Sequence, residues 1–383
     1  MTQPAQTSGL HAAQRLEKTH LRLGYVALSD AAPLVAAKLY EFGHAHGLTL
    51  ELVRQPSWAA LRDKLLAGDL DAAHALYGLV YGVQLGLGGL QTDMAVLMVL
   101  NRNGQAITLS QRLSEALAAH GSLPAALATL ERKPVFAHTF PTGTHAMWLY
   151  YWLAAQRVDP LRDIDSVAIP PPQMVDALAQ NKLDGLCVGE PWNAVAQAHG
   201  VGTTVAYSSE IWPDHPEKVL ASRRDFVTRF PNTAQALIQT MLEACRWLDD
   251  DTHRAEIARR LAQPEFLGVP AELIAPRLAR EAGPTPTPRL PVRFFEDGRV
   301  NYPRPADGVW FITQYRRWRM IDSRDDYALL AAQVNQTELY RRAAAAMGIA
   351  VPGDAASQTL IDGKVWDGSD PAGYAESFDI GGA

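Results

Sequence analysis

The chain has 383 residues, of which 48% are apolar and 20% charged, and its formal net charge is -6. This composition is typical of a globular protein of two or three domains, whose core needs no disulfides or metals. The acidic balance gives no reason to expect direct nucleic-acid binding, which usually shows a basic excess. The two cysteines, Cys187 and Cys245, form no CxxC pair and are expected to be reduced, part-buried thiols.

Residues 1–20 have no basic n-region, no apolar h-region and no lipobox-like cysteine. No later segment approaches the roughly 18 uninterrupted apolar residues of a membrane span. We therefore expect a disordered N-terminus over residues 1–20, no membrane contact and a cytoplasmic location.

From Leu21 onwards, short β-type runs alternate with segments whose apolar residues recur at helical spacing. This alternation predicts parallel sheets with helices on their faces. The predicted strands are 21–28, 50–54, 72–76, 94–100, 106–109, 135–139, 166–169, 184–188 and 202–208. The predicted helices in this part are 32–43, 58–66, 110–120, 143–156, 173–181 and 191–199.

The rest of the chain is mostly helical in pattern. Its predicted helices are 233–248, 254–261, 271–281, 307–320, 327–334 and 338–347. Alternating prolines over 284–289 predict an extended linker. The predicted fold is α/β, with two hinged lobes and a mostly helical C-terminal extension. Lobe 1 is predicted to comprise 21–103 plus 205–283, lobe 2 to comprise 104–204, and the extension, 284–383, to pack on lobe 1.

Ligands in open α/β sheets lie beyond the carboxyl ends of the strands, so the residues after each strand are the candidates for a site. Trp58 follows the second strand behind Ser57, a predicted N-cap, and the N-terminus of such a helix attracts anions. Trp58 is either a flat wall with an indole donor or a core aromatic. Asn103 and Gln105 lie at the predicted lobe crossing, where their amides are either ligand donors or part of a polar turn.

In lobe 2, the turn before Thr144 and His145 is rich in glycine and threonine and opens a helix, which is a favourable architecture for an anion site. His145 can donate a neutral N–H or carry a charge, although an isolated histidine is often structural. Gly189 follows the last strand of lobe 2, where it allows a ligand to approach the backbone, and Trp192 begins the next helix.

Lys218 ends a segment with two prolines, IWPDHPEK, which predicts a rigid loop. Its ammonium group either balances a monoanion in the cleft or is solvated at the surface. Together these positions offer neutral donors, one cation and few carboxylates, as a buried monovalent anion requires. The sequence has no GxxxxGK[ST], GxGxxG, GxSxG or HExxH motif, so we predict no catalytic residue, metal or cofactor. His74 and His138 are expected to be packed strand residues.

Several segments resemble the NrtA/CmpA-type family of type II solute-binding proteins, which includes nitrate and bicarbonate binders. They span about residues 21–321 and include LRLGYVALSDAAPLVAAK, RQPSWAALRDKL, LNRNGQAITLS, FAHTFPTGTHAMWLYYWLAA, VDPLRDID, AIPPPQMV, GEPWNA, EIWPDHPEKVLA and GVWFITQYRRWRMI. The resemblance implies a two-lobed type II solute-binding-protein fold with a hinge. It also implies a nitrate site of Trp58, Asn103, His145, Gly189 and Lys218, with Gln105, Thr144 and Trp192 around it.

The resemblance also bears on the kind of anion and on the residue at the lobe crossing. Nitrate binders of this family carry lysine where bicarbonate binders carry an acidic residue that works with a metal ion, so Lys218 implies nitrate or nitrite and no metal. Whether Asn103 or Gln105 contacts the ligand is left open.

The absence of an export signal makes the chain resemble the cytoplasmic nitrate/nitrite sensors of the NasS type. This implies a protein partner, a NasT-like ANTAR-domain RNA-binding antiterminator, which the ligand-free sensor sequesters and the anion releases. One alternative is the substrate-binding component of a nitrate ABC transporter. Another is a thiamine-pyrimidine-synthase-like enzyme on the same fold. Such enzymes use a cysteine-rich motif with a histidine, which the two distant cysteines here do not form. We therefore predict a binding protein that is not an enzyme.

Overall fold

Two five-stranded sheets organise the chain in a computed structural model that describes residues 15–280, 290–322, 326–354 and 357–381. The predicted linker at 284–289 and most of the N-terminus predicted to be disordered lie outside the described residues. The first sheet, with its helices, is called lobe 1 and the second lobe 2.

The lobe 1 sheet has the order β2-β1-β3-β10-β4. Its strands are β1 His20–Val26, β2 Thr49–Gln55, β3 Ala72–Leu76, β4 Met94–Arg102 and β10 Pro216–Arg223. The lobe 2 sheet has the order β7-β6-β8-β5-β9. Its strands are β5 Gln105–Ser110, β6 Val135–His138, β7 Asp165–Ala168, β8 Gly185–Gly189 and β9 Gly202–Tyr207. A separate hairpin pairs β11 Gln358–Thr359 with β12 Val365–Trp366.

Helices cover both sheets and form most of the C-terminal extension. The first nine are α1 Ala32–Leu39, α2 Phe42–Ala45, α3 Trp58–Ala67, α4 Tyr77–Gln84, α5 Gln111–His120, α6 Leu123–Leu127, α7 Thr144–Ala155, α8 Pro171–Ala179 and α9 Trp192–Ala198. The others are α10 Ser208–Ile211, α11 Arg224–Arg229, α12 Pro231–Trp247, α13 Asp251–Leu261, α14 Ala271–Leu278, α15 Pro305–Arg317, α16 Tyr327–Val334, α17 Thr337–Ala346 and α18 Pro371–Glu376. A short 3-10 turn, Ser29–Ala31, precedes α1. No helix in the described ranges has both the length and the apolar character needed to cross a membrane.

The chain passes from lobe 1 to lobe 2 directly between β4 and β5. Asn103 and Gly104 both have left-handed backbones at this crossing, with φ of 60° and 96°. Glycine adopts such φ values without strain, and asparagine is among the residues that tolerate them. The chain returns to lobe 1 through α10 and enters β10.

The prediction of a loop ending at Lys218 is wrong. Lys218 lies on β10, which pairs antiparallel with both β3 and β4 inside the lobe 1 sheet. The two prolines suggested a loop, but Glu217 and Lys218 lie within a strand and both side chains are fully buried with ionic partners. The sheets are therefore mixed, and the predicted parallel pairing holds only for the pairs β1–β2, β1–β3, β6–β7 and β6–β8.

The C-terminal extension contacts both lobes, whereas the sequence suggested packing on lobe 1. The Tyr315 hydroxyl oxygen on α15 lies 2.5 Å from the carbonyl oxygen of Gly78 in lobe 1 and 2.8 Å from that of Thr142 in lobe 2, so its single hydrogen is shared between the two acceptors. The ring centroids of Trp310 on α15 and Trp148 on α7 are 4.9 Å apart. The extension therefore ties the two lobes together on this side of the molecule.

Candidate functional site

Lys218 is the centre of a buried polar cluster between the lobes. Its Nζ donates to Asp30 Oδ2 and to Glu217 Oε1, each at 2.9 Å, and its side chain is fully buried. Burial by itself disfavours the ammonium, but the two carboxylates outweigh it and raise the pKa of Lys218 above its ordinary value. Lys218 is therefore a permanently charged group in the core.

Asp30 is a member of this cluster that the sequence reasoning missed. It lies in the 3-10 turn before α1, beyond the carboxyl end of β1. Its carboxylate contacts Lys218, His74 Nε2 at 3.0 Å and Gln105 Nε2 at 3.0 Å. Burial would raise the pKa of Asp30, but Lys218 and His74 hold it well below the ordinary value. The strand-end rule that selected Trp58 and His145 also applies to this position.

Glu217 is the second missed carboxylate. It accepts hydrogen bonds from Thr144 Oγ1 at 2.5 Å and Trp148 Nε1 at 2.7 Å, both on α7 of lobe 2. Successive side chains on a regular strand point to opposite faces, yet those of Glu217 and Lys218 meet. The register of β10 against β4 shifts on both sides of Lys218, as at a bulge, which re-aims side chains.

His145 and Gln105 form the lobe 2 side of the cluster. His145 Nε2 lies 2.9 Å from Gln105 Oε1, and Nδ1 lies 2.6 Å from Thr139 Oγ1. Burial, followed by the charge of Lys218, lowers the pKa of His145 to about 3. The neutral ring therefore donates from Nε2 to Gln105 and accepts the Thr139 hydroxyl at Nδ1.

Trp58 lies on the lobe 1 side, as the first residue of α3. The predicted N-cap is present, since Ser57 Oγ accepts from Ala60 N at 3.1 Å. The Trp58 ring centroid is 5.8 Å from Lys218 Nζ and 5.9 Å from the His74 ring. Among the described residues, neither Trp58 Nε1 nor His74 Nδ1 has a hydrogen-bond partner, although both are buried. Such groups are normally satisfied, so they mark a place where a polar ligand can bind.

The other predicted residues have different roles. Gly189 pairs with Gln105 across the sheet, and a Cβ there would lie 2.7 Å from Gln105 Oε1, so a larger residue would displace the Gln105 side chain. Trp192 Nε1 donates to Ala27 O of lobe 1 at 3.0 Å and so links the lobes. The Nδ2 of Asn103 donates to Pro291 O at 3.1 Å. The structure therefore places Gln105, and not Asn103, beside His145.

The expected charge balance of the site is corrected by the structure. The sequence suggested one ammonium with few carboxylates, but Lys218 already contacts both Asp30 and Glu217. Asp30 is distant from Lys218 in the sequence and Glu217 is adjacent to it, and the sequence showed the burial of neither. The three groups have a formal charge of -1. Within the ranges that the structure describes, no group of three or more histidine, cysteine or acidic side chains has an arrangement suited to hold a metal ion.

Comparison with known proteins gives consistent results. Residues 14–262 match the NMT1-like family. The nitrate import ATP-binding protein NrtC of Synechocystis is 38% identical over 95% of this chain, which spans 56% of that protein, little more than half its length. The nitrate/nitrite binding protein NrtA of Nostoc is 33% identical over 98% of this chain and 89% of that protein.

A solved structure agrees with both sequence comparisons. The crystal structure of the periplasmic nitrate-binding protein NrtA from Synechocystis superposes with a TM-score of 0.88 and 32% identity, covering 95% of this chain and 100% of that one. The predicted resemblance and the predicted two-lobed solute-binding-protein fold are thereby confirmed. The chain belongs to the NMT1-like family and is a homologue of the NrtA nitrate/nitrite binding proteins.

Proposed function

We propose that this protein binds nitrate or nitrite between its two lobes. The observation that carries the proposal is the unpaired, buried indole N–H of Trp58 beside the Lys218 ammonium. A planar oxyanion accepts hydrogen bonds all round its edge, and a buried binding site must supply the donors for them. The homologous NrtA proteins are named as nitrate/nitrite binding proteins, which supports the same ligand class.

The cluster can close on its ligand because its parts come from both lobes. Trp58, Lys218 and Asp30 lie on lobe 1, whereas His145 and Gln105 lie on lobe 2. Opening of the lobes would break the Gln105–Asp30 bond and admit the anion, and closure would enclose it. The anion favours the closed form to the extent that it contacts both lobes.

We infer that the protein performs no chemistry on the anion. Cys187 is buried, and burial raises the pKa of its thiol well above the ordinary value, so it is a poor nucleophile. The neutral ring of His145 has both nitrogens in hydrogen bonds to side chains. The arrangement is suited to holding a ligand.

The test is calorimetric titration with nitrate, nitrite and bicarbonate. We expect saturable binding of nitrate or nitrite by the wild type and none by Lys218→Met. Lys182→Met, which changes an exposed lysine, should bind like the wild type. Circular dichroism would show that each variant is folded. Nitrate binding by Lys218→Met at wild-type affinity, or binding of bicarbonate alone, would contradict the proposal.

The relatives favour a role as the substrate-binding component of a nitrate transporter, because they include a protein of nitrate import. A cytoplasmic sensor that sequesters an ANTAR-domain antiterminator stays a prediction from the sequence. Affinity capture of the full chain from its native cells, with and without nitrate, separates the two. Recovery of permease and ATPase components supports transport, and nitrate-sensitive recovery of an ANTAR-domain protein supports sensing.

A further inference from the structure

We propose that the anion binds together with one proton, and that His74 takes up this proton. The inference rests on the proposed function. It adds one residue to the site and couples anion binding to proton uptake. It makes His74, which the sequence suggested was only a packed strand residue, part of the binding machinery.

The buried cluster already has a negative formal charge before an anion binds. Asp30 and Glu217 contact Lys218, and their other contacts are with donor groups, as expected for ionised carboxylates. With one ammonium and two carboxylates, the ligand-free cluster has a formal charge of -1. A monovalent anion would make the formal charge of the cluster -2, among side chains that are almost completely buried. Burial of uncompensated charge is strongly unfavourable, and one added proton restores the original charge.

His74 has one hydrogen-bonded ring nitrogen and one that is unpaired within the described residues. The ring lies on β3, with Nε2 3.0 Å from Asp30 Oδ1. An ionised carboxylate accepts only, so Nε2 carries the hydrogen and Nδ1 of the neutral ring has a lone pair. Both that Nδ1 and Trp58 Nε1 are buried without a hydrogen-bond partner among the described residues. A lone pair repels an anion, but protonation converts Nδ1 into a donor. The proton that corrects the charge therefore also supplies a hydrogen bond.

The groups that face His74 come from three other elements. Asp30 of the 3-10 turn contacts it directly, Lys218 and Glu217 of β10 act on it electrostatically, and Trp58 of α3 packs against its ring. The two carboxylates favour the imidazolium form, and Lys218 opposes it. Burial lowers the pKa of His74 below its ordinary value, so the ligand-free ring is neutral at neutral pH and can take up a proton.

Other buried groups are less suited to accept the proton. The ring nitrogens of His145 are both bonded, to Thr139 and Gln105. Those of His215 contact Ser208 Oγ and Pro216 O. Protonation of Asp30 would weaken its bonds to Lys218, Gln105 and His74 together. A proton added to His145 or His215 would only reverse an existing bond to a hydroxyl, whereas at His74 it would create a donor on a nitrogen that has no partner among the described residues.

The experiment is titration of the full chain with nitrate in buffers of different ionisation enthalpy, at neutral pH and about one unit lower. The dependence of the observed heat on the buffer measures the protons taken up. We expect about one proton per anion and an affinity that rises about tenfold as the pH falls by one unit. This tenfold rise in affinity per pH unit is expected at pH values between the pKa of His74 in the complex and its lower pKa in the free protein.

His74→Gln keeps a donor for Asp30 but cannot titrate. It should bind nitrate more weakly, without proton uptake and without the pH dependence. His138→Gln is the matched control, because His138 is also buried with an unpaired Nδ1 but lies on β6 outside the cluster. This control should take up the proton like the wild type. If His74→Gln does not fold, Asp30→Asn serves instead, since removal of one negative charge should also abolish the uptake.

The outcomes separate the two proposals. Nitrate binding by the wild type without proton uptake, or uptake that persists in His74→Gln or in Asp30→Asn, would overturn the role of His74 and leave the proposed function intact. A wild-type protein that binds neither nitrate nor nitrite would overturn the proposed function itself.

Discussion

Two buried histidines outside the proposed proton uptake make the stability of this protein depend on pH. Burial lowers the pKa of His138 and of His215, to about 4 and about 3 respectively. The ordinary value is 6.5, so the unfolded chain binds a proton at each position before the folded chain does. Their contribution to stability is complete above this ordinary value and is lost as the pH falls from there towards the folded pKa.

We therefore expect the free energy of unfolding to decrease as the pH falls below about 6.5. Each such histidine contributes about 1.4 kcal/mol per pH unit in this window. Urea unfolding at about pH 7.5 and about pH 5 should show that His138→Gln loses about 2 kcal/mol less than the wild type. An equal loss of unfolding free energy in both proteins would show that His138 does not contribute to the pH dependence of stability.

At the scale of elements, α4 is a helix that brings the lobes into contact. Gly78 and Gly82 are four residues apart and so lie on one face of the helix. A Cβ at Gly78 would lie 2.4 Å from Thr142 O, and one at Gly82 would lie 2.2 Å from Thr142 Oγ1. Thr142 belongs to the lobe 2 turn before α7. The absence of side chains at these two positions therefore allows the lobes to close.

Gly78→Ala should weaken nitrate binding by about tenfold, a coupling of about 1.4 kcal/mol, because the clash is with backbone and closure cannot avoid it. Alanine is the better helix former by up to about 1 kcal/mol, so weaker binding would not reflect a weaker helix. Calorimetry should show wild-type affinity for Gly353→Ala, whose added Cβ meets nothing within 4 Å. Unchanged affinity in Gly78→Ala would mean that this contact does not form on closure.

At the scale of the whole molecule, the extension and direct bonds join the lobes. Ser29 N of lobe 1 donates to Glu190 O of lobe 2 at 2.7 Å, and Tyr315 of the extension bonds to both lobes. Lobes joined at several places should unfold together, because separating one exposes surfaces of the other. The chain contains a natural probe in each part, Cys187 on β8 and Cys245 on α12.

Both thiols should become reactive at the same urea concentration. In the folded state both are buried, and burial raises the pKa of each, so they should resist a thiol reagent. Pulse labelling over a urea series, with peptide mass spectrometry to separate the two sites, makes the measurement. Labelling of Cys187 at clearly lower urea than Cys245 would mean that lobe 2 unfolds independently.

The sequence by itself determined those features that depend on neighbouring residues. Apolar periodicity located both α/β lobes. The strand-end turns singled out Trp58, His145 and Gly189, which the structure places in or beside the Lys218 cluster, because a strand, its turn and the next helix are consecutive in the chain. The N-cap at Ser57 follows the same local rule. The lobe crossing could also be placed near Asn103, since Asn-Gly favours a left-handed turn.

Only the tertiary structure decided the electrostatics of the site. Lys218 and Asp30 are 188 residues apart, and nothing local to either shows that they are partners. The burial of Glu217 and Lys218 could not be inferred from their proline-containing segment, because a charged pair is stable in the core only with donors and acceptors brought by other elements, here α7 and the turn before α1. The contacts of Gln105 with His145 and Asp30, and the unpaired nitrogen of His74, depend likewise on how the two lobes meet.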